Sequence, residues 1–151
     1  TRGVYEAINR GATIINMSLS SDGGMPYLEQ LIKDAHQQGV LFFAAAGNTP
    51  TKEPSFPAFY PEVIAVTAGN SAGDIASYAN RGEFVDAIAP GSMIVKDNQG
   101  AAYLVSGTSV ATAYAAGVAA GLAERNGTRL PAVEASMRRS MAPKAGATRG
   151  N

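Results

Sequence analysis

Cysteine is missing from the 151-residue chain, which excludes a disulfide framework and a thiolate metal site. Tryptophan is missing too, and the single histidine, His36, has no carboxylates at a spacing that would complete a zinc site. Neither sign of charge is in excess, since 12 Lys plus Arg balance 12 Asp plus Glu. A chain without a net field is not steered toward nucleic acid or a membrane surface. Arg138-Arg139 is the only adjacent basic pair, and it reads as a solvated face. Neither G-x-G-x-x-G nor a Walker A run occurs, so a doubly wound nucleotide-binding domain lacks its fingerprint. The uncharged stretch from Asn98 to Ala123 is interrupted by Gly100, Gly107, Gly117 and Gly121 and by polar residues. It is too weakly apolar for a membrane span and is expected to be a buried helix and its approach. Thr1 to Tyr5 has neither an initiator methionine nor the apolar core of a signal peptide. The chain is therefore expected to begin inside a longer precursor.

What is present is a globular composition, 46% hydrophobic and 16% charged, enough for one domain with a single core. Strand-like and helix-like runs alternate, the pattern of an α/β sheet. Val4 to Arg10 reads as the end of a helix that Gly11 stops. Ala12 to Leu19 follows as a nearly continuous apolar strand, expected to be covered on both faces. Ser20 to Gly24 is a turn, and Pro26 suits the first position of a helix whose face is Leu28, Leu31, Ile32 and Ala35. Val40 to Ala46 is a second strand, followed by a proline-punctuated loop. Val63 to Thr67 and Phe84 to Ile88 are further strands, and Tyr103-Leu104-Val105 is short and extended. From Ser109 to Ala123 the chain is small or apolar all round, as in a helix of the core. Asn126-Gly127 supplies a left-handed cap, and Leu130, Val133, Met137 and Met141 mark a last helix. Residues 1–142 are read as the folded portion and 143–151 as a disordered tail.

Two runs carry chemistry. In Ser106-Gly107-Thr108-Ser109-Val110-Ala111 a glycine-containing turn delivers a serine to the first turn of a buried helix. Free N–H groups and the positive helix end there favour negative charge, so that serine can attack a carbonyl and help hold the oxyanion. In Ala44-Ala45-Ala46-Gly47-Asn48 a strand of small residues ends on an amide that can donate to the same oxyanion. Taken singly, each run fits an ordinary helix cap or a turn asparagine better.

Taken together and in order, the runs are similar to the subtilisin-like serine proteases, the subtilases. Ile15-Asn16-Met17-Ser18-Leu19, Ala45-Ala46-Gly47-Asn48, Phe56 to Val66, Ser77 to Gly82, Asp86 to Gly91 and Gly107 to Ala111 carry the resemblance, which runs from about Val4 to Met141. It implies the C-terminal portion of a subtilase catalytic domain: part of a three-layer α/β sandwich with a mostly parallel sheet and a central helix after the nucleophile. It implies a serine endopeptidase working through an acyl-enzyme on peptide or protein substrates. Ser109 matches the nucleophile and Asn48 the side-chain oxyanion donor. Ser18, Leu19 and Ser20 match the edge that pairs with substrate and walls the S1 pocket. Ala45, Ala46 and Gly47 match the opposite wall, with Ser55 and Phe56 near the floor, and Phe56-Pro57 matches a cis peptide. Many subtilases use calcium for stability, yet no oxygen-rich loop of calcium spacing is visible. Secretion is a tendency of the family.

The departures are as informative. Ala113 and Tyr114 stand where the family usually has Pro-His, and Ser20 where a glycine is common. The family's Asp-Thr-Gly and His-Gly-Thr motifs are absent, so the chain holds nucleophile and oxyanion hole without the catalytic Asp and His. His36 borders a structural helix face, and Asp22, Asp74 and Asp86 have turn, loop and strand-motif roles. The chain alone is expected to be inactive, its missing half coming from the same precursor or another polypeptide. The rival reading is a non-catalytic pseudoprotease scaffold that binds extended peptides along Ser18 to Ser20.

Overall fold

The computed structural model describes residues 1–127 and 129–144; of the tail assigned above, 145–151 lie outside the described residues. The elements run α1 (Arg2–Asn9), β1 (Ile14–Met17), α2 (Pro26–Gln37), β2 (Leu41–Ala45), β3 (Val63–Gly69), β4 (Ala87–Pro90), β5 (Ser92–Lys96), β6 (Ala102–Ser106), α3 (Thr108–Asn126) and α4 (Leu130–Ser140). Four strands form one sheet in the order β1-β2-β3-β4, every neighbouring pair parallel, and β5 and β6 form a separate antiparallel hairpin. This is the α/β architecture with a mostly parallel sheet that the resemblance implied.

Parallel strands of this kind require cover on both faces, and two cores supply it. On one face Leu41, Phe43, Ile64, Val66 and Ala87 pack with Ala111, Ala115 and Ala119 of α3 and Val133 and Met137 of α4. On the other, Ile15, Met17, Phe42, Val63 and Ala65 pack with Leu28, Ile32 and Ala35 of α2, and Val4, Ala7 and Ile8 of α1 lie against them. The layers are therefore helices, sheet, helices. All seven residues of β3 are buried, which suits a strand paired on both sides and covered above and below. Pro26 opens α2, Gly39 (φ 93°) follows it, and Gly127 (φ 55°) closes α3 in the left-handed conformation expected there.

Four expectations are corrected. β1 is shorter than Ala12 to Leu19 and is only partly covered, with Asn16 exposed, because it is the edge of the sheet. β4 starts at Ala87 rather than Phe84: Gly82 (φ 156°) and the Val85 N–H to Gly82 carbonyl bond turn the chain there, although Val85 is still buried. β5 is an additional strand. Its Met93-Ile94-Val95 run lacks the polar alternation of a half-buried strand, and only the Asp97 to Gly100 turn joins it to β6. Finally, α3 is not covered all round. Its Ala111, Ala115 and Ala119 face the sheet, but Ala113, Tyr114, Gly117, Ala120 and Gly121 are exposed, and no described element lies over them.

At the hairpin tip the Asp97 carboxylate accepts the N–H groups of Gln99 (2.8 Å) and Ala101 (2.9 Å). These bonds, that from Gln99 foremost, hold its pKa below the ordinary carboxylate value. A group whose folded pKa is depressed contributes order above its unfolded pKa and loses it as pH falls through the folded value. Acid titration of the Gln99 and Ala101 amide resonances should thus show a midpoint below the ordinary 3.8.

Arg138 ties α4 to the start of the sheet. It meets Asp86 (2.6 Å) and Glu134 (3.1 Å) and donates to the Pro61 and Val63 carbonyls. Asp86 in turn accepts the Ala65 N–H at 2.9 Å. Because Arg138 and Asp86 each retain 29% side-chain exposure, the cluster is partly screened. Arg138→Leu should still cost about 2 kcal/mol, the scale of hydrogen bonds to charged groups, read as a lower urea midpoint at unchanged slope.

Candidate active site

Strands of a parallel sheet present loops at their carboxyl ends, the usual place for a site. Here β1 ends into Ser18, β2 ends into Ala46-Gly47-Asn48, and the N-terminus of α3 arrives at the same mouth. Asn48 Oδ1 accepts both the Thr108 N–H (2.9 Å) and the Thr108 hydroxyl (3.0 Å). A backbone N–H can only donate, so this pair fixes which end of the Asn48 amide is oxygen and leaves Nδ2 directed elsewhere.

Gly107 lies beside this amide. A Cβ built on that glycine would lie 3.6 Å from Asn48 Nδ2, 3.8 Å from Asn48 Oδ1 and 3.8 Å from the Ser109 nitrogen. Oδ1 is engaged by Thr108, so two donors, Asn48 Nδ2 and the Ser109 N–H, border the space beside a residue without a side chain. Of the four N–H groups at the start of α3 that helix geometry leaves without an i→i−4 partner, counting the N-cap Gly107, those of Gly107, Thr108 and Val110 are taken up. The Ser109 N–H has no acceptor among the described residues. A partly charged atom placed in that volume would meet an amide, a free backbone N–H and the positive end of a 19-residue helix.

Ser109 is the second residue of α3. Its hydroxyl rests 3.4 Å from the Ser18 carbonyl oxygen, and the Ser18 hydroxyl donates to the Ser109 carbonyl at 2.9 Å. The segments expected from sequence to form the pocket are linked through its floor. Ser55 is buried and donates to the Ala46 carbonyl at 2.7 Å, while Ser21 and Phe56 form an antiparallel bridge just beyond Ser18-Leu19-Ser20. Ala45, Ala46 and Gly47 are buried and Leu19 is 54% exposed. The Phe56 ring packs against Phe59 and Tyr60, near Gly24, and Phe56-Pro57 is cis.

Two supporting residues escape a reading of the sequence. Thr108 orients Asn48 and also accepts the Gly47 N–H at 3.3 Å. Asn80 is buried, accepts the Thr49 N–H at 2.8 Å and donates its own N–H to the Gly47 carbonyl, holding the loop that carries Asn48. The signal for Thr108 is its place beside Ser109. Asn80 lies in the Ser77 to Gly82 run, where nothing but the resemblance marks it.

His36 is elsewhere. Its Nε2 lies 2.9 Å from Glu134, at the end of the sheet where Arg138 reaches Pro61 and Val63 and the strands begin. Among the described residues no three His, Cys, Asp or Glu side chains come together as a metal cluster. An apolar groove of about 580 Å³ opens beside Ser109, between Met93, Val95 and Val105 of the hairpin and Ala113, Tyr114 and Gly117 of α3.

The sequence pattern of the subtilase family matches residues 1–149. The chain is similar to a thermostable alkaline protease of Halalkalibacterium halodurans, 41% identical over 79% of this chain and 33% of that protein. It is similar to thermitase of Thermoactinomyces vulgaris, 37% identical over 82% of this chain and 44% of that protein. Among solved structures, a cold adapted subtilisin-like serine proteinase superposes with a TM-score of 0.85 at 31% identity, over 99% of this chain and 57% of the other. The self-cleaved protease domain of PatA superposes at 0.80 and 32% identity, over 91% and 56%. The chain thus spans less than three fifths of each of these proteins.

Proposed function

The chain belongs to the subtilase family, and on that footing we propose that it supplies the nucleophile and oxyanion hole of a serine endopeptidase whose base lies in another segment. The observation that carries the reading is the shared volume between Asn48 Nδ2 and the unaccepted Ser109 N–H, next to the Ser109 hydroxyl. In the proposed reaction Ser109 Oγ adds to a peptide carbonyl, and its proton passes to the base. The carbonyl oxygen takes the negative charge, and the two donors meet it there. Collapse expels the amine with a proton from the same base and leaves an acyl-Ser109 ester, which water hydrolyses by the reverse sequence. Preorganised donors at a helix N-terminus lower that barrier because they need not reorient as charge develops.

The base cannot be His36, which sits at the opposite end of the sheet, and geometry precedes pKa for a general base. We assign the base and its orienting carboxylate to the N-terminal portion of the catalytic domain, in the same precursor or another chain. The bare apolar face of α3, the groove beside it and the edge strand β1 are the surfaces on which that portion would pack. Apolar area of this kind is stabilised only when covered. Substrate would lie along Ser18-Leu19-Ser20, with its P1 side chain between that segment and Ala45-Ala46-Gly47, above Ser55. The small side chains there favour a large apolar P1 residue. For location, the family resemblance favours an extracytoplasmic protein; no helix among the described residues is long and apolar enough to cross a membrane.

The experiment is pre-steady-state hydrolysis of a peptide ester by the complete enzyme. An acyl-enzyme mechanism gives a burst equal to the active-site concentration. A linear onset with no ester trapped on Ser109 would rule the reading out.

A further inference from the structure

Building on the assignment of Ser109 as nucleophile, we propose that Asn16 and Ser18 are positioning residues, a side-chain relay that holds the nucleophile's peptide against the strand that would pair with substrate. Residues two apart on extended chain point to the same side, and Asn16 of β1 bonds to Ser18 just beyond it, which reaches Ser109 of α3. Asn16 Nδ2 donates to Ser18 Oγ at 3.0 Å, and Ser18 Oγ donates to the Ser109 carbonyl at 2.9 Å. The hydroxyl has one hydrogen, and its other acceptor, Asn16 Oδ1, is farther at 3.4 Å. The relay therefore runs in one direction, from Asn16 through Ser18 to Ser109.

The contact closes on itself, because the Ser109 hydroxyl faces the Ser18 carbonyl at 3.4 Å. Residues 91 apart in sequence are thus joined twice, backbone of each to side chain of the other. These groups are exposed, so their hydrogen bonds contribute little to stability. Their effect is on geometry. The Ser18 hydroxyl holds the Ser109 peptide, and with it the attacking side chain, at one spacing from the carbonyl that would pair with substrate, and leaves the Ser109 hydroxyl hydrogen free for the base. A misplacement on the order of 1 Å costs about 10²-fold in rate. A residue that only paired with substrate would act on KM, whereas the relay acts on kcat.

The test compares the complete enzyme with Ser18→Ala, Ser18→Thr, Asn16→Ala and the double variant Asn16→Ala/Ser18→Ala. Ser18→Ala should lower kcat by about three- to tenfold, the worth of one hydrogen bond, with KM and melting temperature nearly unchanged. Ser18→Thr, which keeps the hydroxyl, should restore most of kcat. The double variant should be no slower than Ser18→Ala, since Asn16 acts only through Ser18. An unchanged kcat, a loss confined to KM, failure of threonine to rescue, or losses that multiply would overturn the relay. A second readout needs no activity. In the complete enzyme, carrying ¹³C at the Ser109 carbonyl, that resonance should move in Ser18→Ala and return in Ser18→Thr; a resonance that stays put overturns the contact. If the unaltered enzyme forms no acyl-Ser109, the assignment of the nucleophile has failed, while the resonance still decides whether the relay exists.

Discussion

Ser109→Ala in the complete enzyme is expected to lower kcat by about a million-fold, and this chain alone is expected to start near that floor. The magnitude is the one measured for such a replacement in a subtilisin; the geometry described above supplies its cause and not its size. Physically, a serine hydroxyl is a weak nucleophile at neutral pH until a base takes its proton, and nucleophile and base act as one unit. Removing either leaves only what binding and the oxyanion hole supply, roughly 10³–10⁴-fold over water. In this chain the Ser109 hydroxyl faces the Ser18 carbonyl, which accepts a hydrogen bond but is no base. Peptide hydrolysis by the isolated chain should therefore be undetectable beside that of the complete enzyme, and adding Ser109→Ala to the isolated chain should change nothing measurable. Turnover by the isolated chain that disappears with His36→Ala would make the distant histidine the base and overturn this assignment.

Gly107→Ala is expected to reduce kcat by at least about 100-fold with KM little changed, the range seen when one oxyanion donor is removed. That range again comes from a subtilisin. What the geometry adds is that one methyl would obstruct both donors. The added carbon would stand 3.6 Å from Asn48 Nδ2 and 3.8 Å from the Ser109 nitrogen, beside both proposed donors. Gly107 also has φ 150° and ψ 164°, a region essentially limited to glycine, so the substitution strains the backbone by about 1–3 kcal/mol. A melting curve separates the two effects. The rate loss should persist at temperatures where the variant is fully folded. Asn48→Ala removes one donor and leaves the volume open, so it should be the milder change. If Gly107→Ala were within tenfold of the unaltered enzyme, the oxyanion would have to sit elsewhere.

The candidate site is more legible in the sequence than the fold's details are. Ser109 and Asn48 stand out because each lies in a run whose chemistry is local: glycine, small residues, then a polar group at the end of an element. Thr108 and Asn80 cannot, since their contribution is contact with a loop 60 and 31 residues away, respectively. Phe84 and Val85 look like strand because they are apolar, yet Gly82 bends the chain before them. Composition marks α3 as apolar, and only the packing shows that Ala113, Tyr114 and Gly117 face a groove while Ala111 and Ala115 face the sheet. Apolarity says that a face is to be covered; it does not say by what.

A structure of the complete enzyme with a peptide boronate bound to Ser109 Oγ would locate the oxyanion itself. One boronate oxygen should lie about 2.7–3.1 Å from both Asn48 Nδ2 and the Ser109 nitrogen, beside Gly107. A bonded adduct whose oxygens both point away from Asn48, or no adduct at Ser109, would refute the shared oxyanion site.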